Sequence, residues 1–428
     1  DGQTLEDRTA SFTVPDGVSL YGGFDGTDGA GGGALETDRS QRNSDPATNS
    51  TIFTGDQGTE GFPNDNAYHV VTIAEEGSAM LDGFTIRDGF ANNDTPDNSG
   101  AGIWAKRGSK FTLRNARLID NVASGTDGDG GGIYSQRRDS FGEEVTLLTV
   151  QGATLTGNSA ARNGGGISAG GSSTFTNITV QNSSAGGRGG GIYTRARNSN
   201  DRNNSTFTNI VLNNNTAESG GGIYADISAN IFTNVTADNN TAGSFGGGIV
   251  GSGTFTGVSA ENNSADGDGG GIRARKSSTF TDVTVRSNSA SGNGGGIYSR
   301  FGSTFTQVNV ENNSADGGGG GIDGSGTFTD VTVRSNSASG NGGGISGSGS
   351  TFTDVTVRSN SASGNGGGIY SRSGSTLTQV NIRGNESQRA GGGLYNDLGD
   401  VDLADVTFVG NTAGSNDSGG GAYVMDAT

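Results

Sequence analysis

The sequence predicts an all-β chain, a right-handed parallel β-helix of about 24 residues per coil. Three observations carry this. First, Ser278 to Arg300 (STFTDVTVRSNSASGNGGGIYSR) recurs word for word at Ser350 to Arg372 and with small changes at Gly326 to Ser348. Second, a Gly-Gly-Gly-Ile element marks each unit, ending at Ile249, Ile272, Ile297, Ile322, Ile345, Ile369 and Leu394, in steps of 23 to 25 residues. Third, no stretch shows the 3.6-residue period of a helix, whereas Val283-Thr284-Val285 alternates as a half-buried strand does. A fixed period of this length is the mark of a repeat architecture.

Within each unit a Phe strand leads into a Val strand and an Asn, as in Phe280, Val283, Val285 and Asn288. The same spacing holds at Phe305/Val308/Val310/Asn313 and, with substitutions, at Leu113/Ala116/Leu118/Asn121 and Leu403/Val406/Phe408/Asn411. Phe280 and Val283 are three apart, so both face inward only if the chain bends between them. Glycine triplets and Ser-Asn-Ser clusters supply the corners. Eighteen-residue coils of hexapeptides and nonapeptide calcium rolls have other periods. A single coil buries too few apolar side chains to offset the ordering of its backbone, so stability belongs to the stack.

The combination of Gly-Gly-x-Ile with F-x-x-N resembles the repeat of the chlamydial polymorphic outer membrane proteins and related bacterial β-helix proteins. Phe408-Val409-Gly410-Asn411 followed by Gly419-Gly420-Gly421-Ala422 is the nearest match within the chain. Most other copies have Val, Leu or Ala for Phe and a third Gly for the usual Ala. Val18-Ser19-Leu20-Tyr21-Gly22-Gly23-Phe24 and Leu81-Asp82-Gly83-Phe84-Thr85-Ile86 look like the leading coils of secreted bacterial β-helices. The resemblance implies a place outside the cell or on its outer surface and says little of activity.

Composition narrows the partners. At 428 residues the chain could form two or three ordinary domains, but a solenoid absorbs any number of coils in one elongated domain. Residues 1–75 read as irregular N-terminal coils and 76–428 as regular ones, with insertions at 136–145 and 195–205 projecting from one edge. The net charge of −18, from 44 acidic and 26 basic residues, argues against nucleic acid as a partner. There is no Cys, hence no disulfide or thiolate metal site. No apolar run is long enough to span a membrane.

Several constellations stand out. The column Asn121, Asn158, Asn215, Asn240, Asn263, Asn288, Asn313, Asn336, Asn360, Asn385 and Asn411 forms an internal amide ladder, broken at Ser183. Glu261, Arg286, Glu311 and Arg334 occupy equivalent outward places, and Arg358 and Arg383 continue them as like charges. A basic stripe runs through Lys106, Arg107, Arg137, Arg138, Arg195, Arg197, Arg273, Arg275, Lys276, Arg300 and Arg372. It suits an anionic polysaccharide or an acidic neighbour. About half the coils lack it and some carry Asp226 or Asp323 there, so a solvated face is the plainer reading. Asp127, Asp129, Asp266 and Asp268 offer hard oxygens on Asp-Gly-Asp turns that calcium could use, although two carboxylates per turn are too few to specify a site. The one His, His69, reads as a structural residue in a strand. Sequons such as those at Asn203, Asn204 and Asn234 carry little information in so Asn-rich a chain.

These features point to a structural or adhesive β-helix of the cell surface rather than an enzyme, with a glycan or a second copy of itself as partner. The last coil lacks a lid around Tyr423 and Val424, so the expectation is a trimmed stalk or an otherwise capped monomer, with head-to-tail assembly as the alternative if that coil meets the opposite end of another copy. The alternative is binding or degradation of extracellular polysaccharide on the insertion edge near residues 104–205. Catalysis needs one unique constellation, and repeated coils give each polar group several equivalents.

Overall fold

Inward-facing residues and corner geometry together explain how one coil closes. The computed structural model describes residues 7–24, 42–93, 97–136, 146–170, 172–195, 204–226, 229–414 and 419–425. The chain divides into two compact units, Asp1–Ala217 and Glu218–Thr428. Among the described residues the structure is strand and turn, with one 3-10 turn at Pro63–Asp65 and no helix that could cross a membrane. Both units are built from right-handed parallel β-helix coils.

In the second unit, one coil runs through strands Ile272–Ala274, Thr279–Arg286 and Ser289–Ala290. Each lies parallel and in register on the next coil, Ile272 on Ile297, Phe280 on Phe305 and Ser289 on Ser314. The bend required between Phe280 and Val283 is present. Asp282 between them sits in the left-handed region at φ 54°, as do Gln307, Asp330, Asp354 and Gln379 in the following coils. A single left-handed residue turns the strand by one face, and Asn and Asp reach that conformation more readily than most side chains. Phe280, Val283 and Val285 are consequently all buried.

The glycine triplet is required by close approach. A Cβ on Gly295 would lie 2.3 Å from the carbonyl oxygen of Ser314 and 2.4 Å from that of Gly320. Gly294 ahead of it has φ +66°. The triplets of adjacent coils can thus press backbone to backbone, and the Gly296 N–H donates to the Gly321 carbonyl at 3.0 Å.

Identical side chains stack along the interior. From Phe232 through Phe255, Phe280, Phe305 and Phe328 to Phe352 the ring centroids are 4.5 to 4.9 Å apart and tilted by 3 to 17°. The asparagine ladder runs beside them. Asn336 Nδ2 donates to Asn360 Oδ1 and to the Val310 carbonyl, both at 3.0 Å, while its backbone N–H donates to the same Oδ1 at 2.9 Å. This pattern repeats from Asn263 to Asn385, so each ladder amide in that run is satisfied.

In the first unit Asn121 donates to Asn158 Oδ1 at 3.0 Å. At the Ser183 break the backbone N–H alone donates to Asn215 Oδ1, at 3.0 Å, while the hydroxyl donates to the Gln181 carbonyl at 3.2 Å. The N-terminal coil follows the same plan despite its polar loops. Phe12–Val14, Val18–Tyr21 and Thr51–Thr54 pair in parallel with Val71–Ile73, Ser78–Asp82 and Phe84–Arg87. His69 lies just ahead of its strand rather than in it. It is buried, its ring 4.7 Å from that of Trp104 and its Nδ1 3.1 Å from the Gly100 carbonyl. Burial holds its pKa below the usual imidazole value.

Candidate functional site

Because the inward positions are occupied by ladders, chemistry must come from what the coils turn outward. The charge column pairs as the spacing requires. Arg286 meets Glu261 at 2.6 Å and Arg334 meets Glu311, with both arginines substantially solvated, so each pair adds little to stability.

The predicted basic stripe is not one column. Arg273 directly follows Ile272 and is sandwiched, with its guanidinium carbon 3.8 Å from the Phe245 ring centroid and 5.7 Å from that of Tyr298. Arg275 is engaged by Asp226 and by the Tyr224 hydroxyl at 3.1 Å. Arg107 pairs with Glu75, and Lys106 lies 4.8 Å from the Trp104 ring. Arg195 is exposed, whereas Arg137, Arg138, Arg197 and Asn203 fall outside the described residues, as does most of both insertions.

The acidic turns have a structural use. Asp129 is buried and accepts from Arg162 at 2.7 and 3.1 Å and from both the backbone and the amide of Asn163. Asp268 Oδ1 accepts from Asn293 N and Nδ2 at 2.9 and 3.1 Å, and Asn293 Oδ1 accepts in turn from Gly318 N at 2.8 Å. A second polar ladder thus runs along the turns before the glycine triplets. Asp127 and Asp266 stay at the surface, and no group of three or more acidic or His side chains gathers among the described residues.

A feature the sequence reading missed lies one residue past each Gly-Gly-Gly-Ile. In the first unit strand pairing aligns Trp104, Tyr134, Ser168 and Tyr193. In the second it aligns Tyr224, Val250, Arg273, Tyr298, Asp323, Ser346, Tyr370, Tyr395 and Tyr423. Where rings are adjacent they stack, Tyr370 on Tyr395 at 5.5 Å and Tyr395 on Tyr423 at 5.3 Å. At two places where a ring is missing, a cleft opens. Ser168 between Tyr134 and Tyr193 leaves a small cavity of about 150 Å³, edged by Asp129, Arg162 and Arg195. Asp323 and Ser346 between Tyr298 and Tyr370 leave one of about 500 Å³.

The larger cleft is the candidate site. With parallel strands ~4.8 Å apart, three coil steps set its two tyrosines roughly 14 Å from each other. It is lined by the small residues Gly324, Ser325, Gly347 and Ser348 and by the polar Asp268, Asn293, Arg300 and Arg372. Burial pushes the Asp323 carboxyl up to about 6, reinforced by Asp268 and opposed by a hydrogen bond from Ser346 and by the two arginines.

Asp323 is therefore a group whose native pKa exceeds its unfolded value of 3.8. Its proton favours folding, and that contribution fades as pH rises from 3.8 to about 6. Asp323→Asn will raise the melting temperature at pH 7.5, and the gain will vanish near pH 4; thermal scans across that range check it.

Comparisons with known proteins agree with the coil geometry. The right handed beta helix region family matches residues 260–387, and the Chlamydia polymorphic membrane protein repeat matches residues 209–226. No curated protein and no solved structure matches the chain.

Proposed function

We propose that this chain, with its right-handed β-helix region and polymorphic membrane protein repeat, is a structural and adhesive protein of the outer cell surface, working as a stalk that displays binding positions. One observation supports the reading above the others. The inward Ile, Phe, Val and Asn positions scarcely vary between coils, whereas the residue after Ile, on the opposite face of its strand, is Trp, Tyr, Ser, Val, Arg or Asp, buried at Tyr224 and Val250 but partly exposed at Trp104, Arg273, Asp323 and Ser346. A constant interior under a varied face is the arrangement of a display scaffold. On this reading the chain holds its ligand without transforming it.

Brief protease treatment of intact producing cells, followed by immunoblotting against the chain, tests the location. Loss of the full-length band without lysis is expected. Recovery of the protein only from the interior of treated cells would overturn the proposal.

A further inference from the structure

The cleft between Tyr298 and Tyr370 calls for an occupant of definite chemistry. Its volume, about 500 Å³, is within the range of small-ligand sites, while the one-ring gap at Ser168 is below it. Its lining is hydroxyl, carboxylate, amide and guanidinium, with apolar surface confined largely to the two tyrosines that bound it. Such a surface binds poorly to hydrocarbon, whose burial would strip water from polar groups and return no hydrogen bonds. It matches a molecule that carries many hydroxyls.

Charge narrows the class. Arg162 of the smaller cleft is already held by Asp129. Arg300 and Arg372 are exposed, and neither forms an ion pair among the described residues. Two free guanidinium forks at opposite ends of one cleft suit carboxylates. Asp268 and Asp323 in the same cleft disfavour a densely charged polyphosphate, and as acceptors they suit sugar hydroxyls.

We infer that this cleft is a saccharide-binding subsite for a uronic-acid-bearing glycan, with Arg300 and Arg372 engaging carboxylate oxygens and Asp268, Asp323 and Asn293 engaging ring hydroxyls. The inference rests on the surface-display reading, because such glycans lie outside the cell. It concerns the purified chain, however, and can fail separately.

The repeat supplies a test that spares the fold. Ser346→Tyr and Asp323→Tyr restore the ring that the coils at Ile297 and Ile369 already carry. Isothermal titration of the full chain would use a β-1,4-linked mannuronate trisaccharide and, for comparison, neutral mannotriose. The expected result is binding of the acidic sugar, at least tenfold weaker in either tyrosine variant, with circular dichroism preserved and a melting temperature no lower than that of the wild type. Arg300→Gln combined with Arg372→Gln should abolish the preference for the acidic sugar.

Failure of the wild-type chain to bind either sugar at millimolar concentration would overturn the inference. So would full affinity in a folded Ser346→Tyr variant, or equal affinity for the acidic and neutral sugars. None of these outcomes bears on the protease experiment.

Discussion

Phe305→Ala is expected to destabilise the second unit by about 3–5 kcal/mol, the usual cost of deleting a fully buried aromatic ring. The Phe305 ring lies 4.9 Å from Phe280 and 4.6 Å from Phe328, nearly parallel to both, and is inaccessible to solvent. Its removal leaves a hole between two rings that are fixed by their own coils and can close only by breaking strand register. In a stack, each coil is held by its neighbours, so the damage should be local first. Urea unfolding will show the loss in midpoint. Hydrogen exchange should show the coils around Ile297 and Ile322 opening before those around Ile369.

Asn336→Leu should cost about 2–4 kcal/mol, because it strands partners as well as losing its own bonds. The Asn313 N–H and Nδ2 both lose their acceptor, and the Val310 carbonyl loses a donor. Leucine is close in size, so lost hydrogen bonding rather than a cavity dominates. Asn312 lies beside the ladder and faces outward, so Asn312→Leu looks like the mild comparison. The structure corrects that choice. Asn312 is exposed but has φ 55°, where leucine pays its own steric penalty of ~1–2 kcal/mol. Asn312→Gly suits that backbone and gives the outward control. Equal midpoints for Asn336→Leu and Asn312→Gly would mean that the ladder contributes nothing.

The difference between what could and could not be read from the residues follows from this. Asn288, Asn313 and Asn336 were legible as a ladder, since a repeated polar residue at one phase of a strand period must stack on itself. The charge alternation of Glu261, Arg286, Glu311 and Arg334 was legible for the same reason. The cleft was not, because it is made by departures from the repeat. Asp323 and Ser346 read as unremarkable substitutions until strand pairing sets them between Tyr298 and Tyr370. Tabulating the residue after each Gly-Gly-Gly-Ile would have revealed the tyrosines and their gaps. Asp129 and Asp268 likewise looked like isolated turn carboxylates. Their partners, Arg162 with Asn163 and Asn293, come from the following coil, about one period away in sequence.

The left-handed corner and the ladders are both strictly nearest-neighbour devices, and this has a consequence for how such a chain changes over generations. Asn336 bonds only to the coils immediately before and after it, and the same is true of each phenylalanine ring and each glycine triplet. A whole coil can then be gained or lost as a cassette, leaving every remaining bond a partner of the same kind. The verbatim recurrence of Ser278–Arg300 at Ser350–Arg372 has the form such an exchange would leave. Cleft width therefore comes in whole-coil increments of ~4.8 Å. Lineages that duplicate or delete the coil carrying Ser346 would change the length of ligand accommodated in discrete steps, without altering a single buried residue elsewhere.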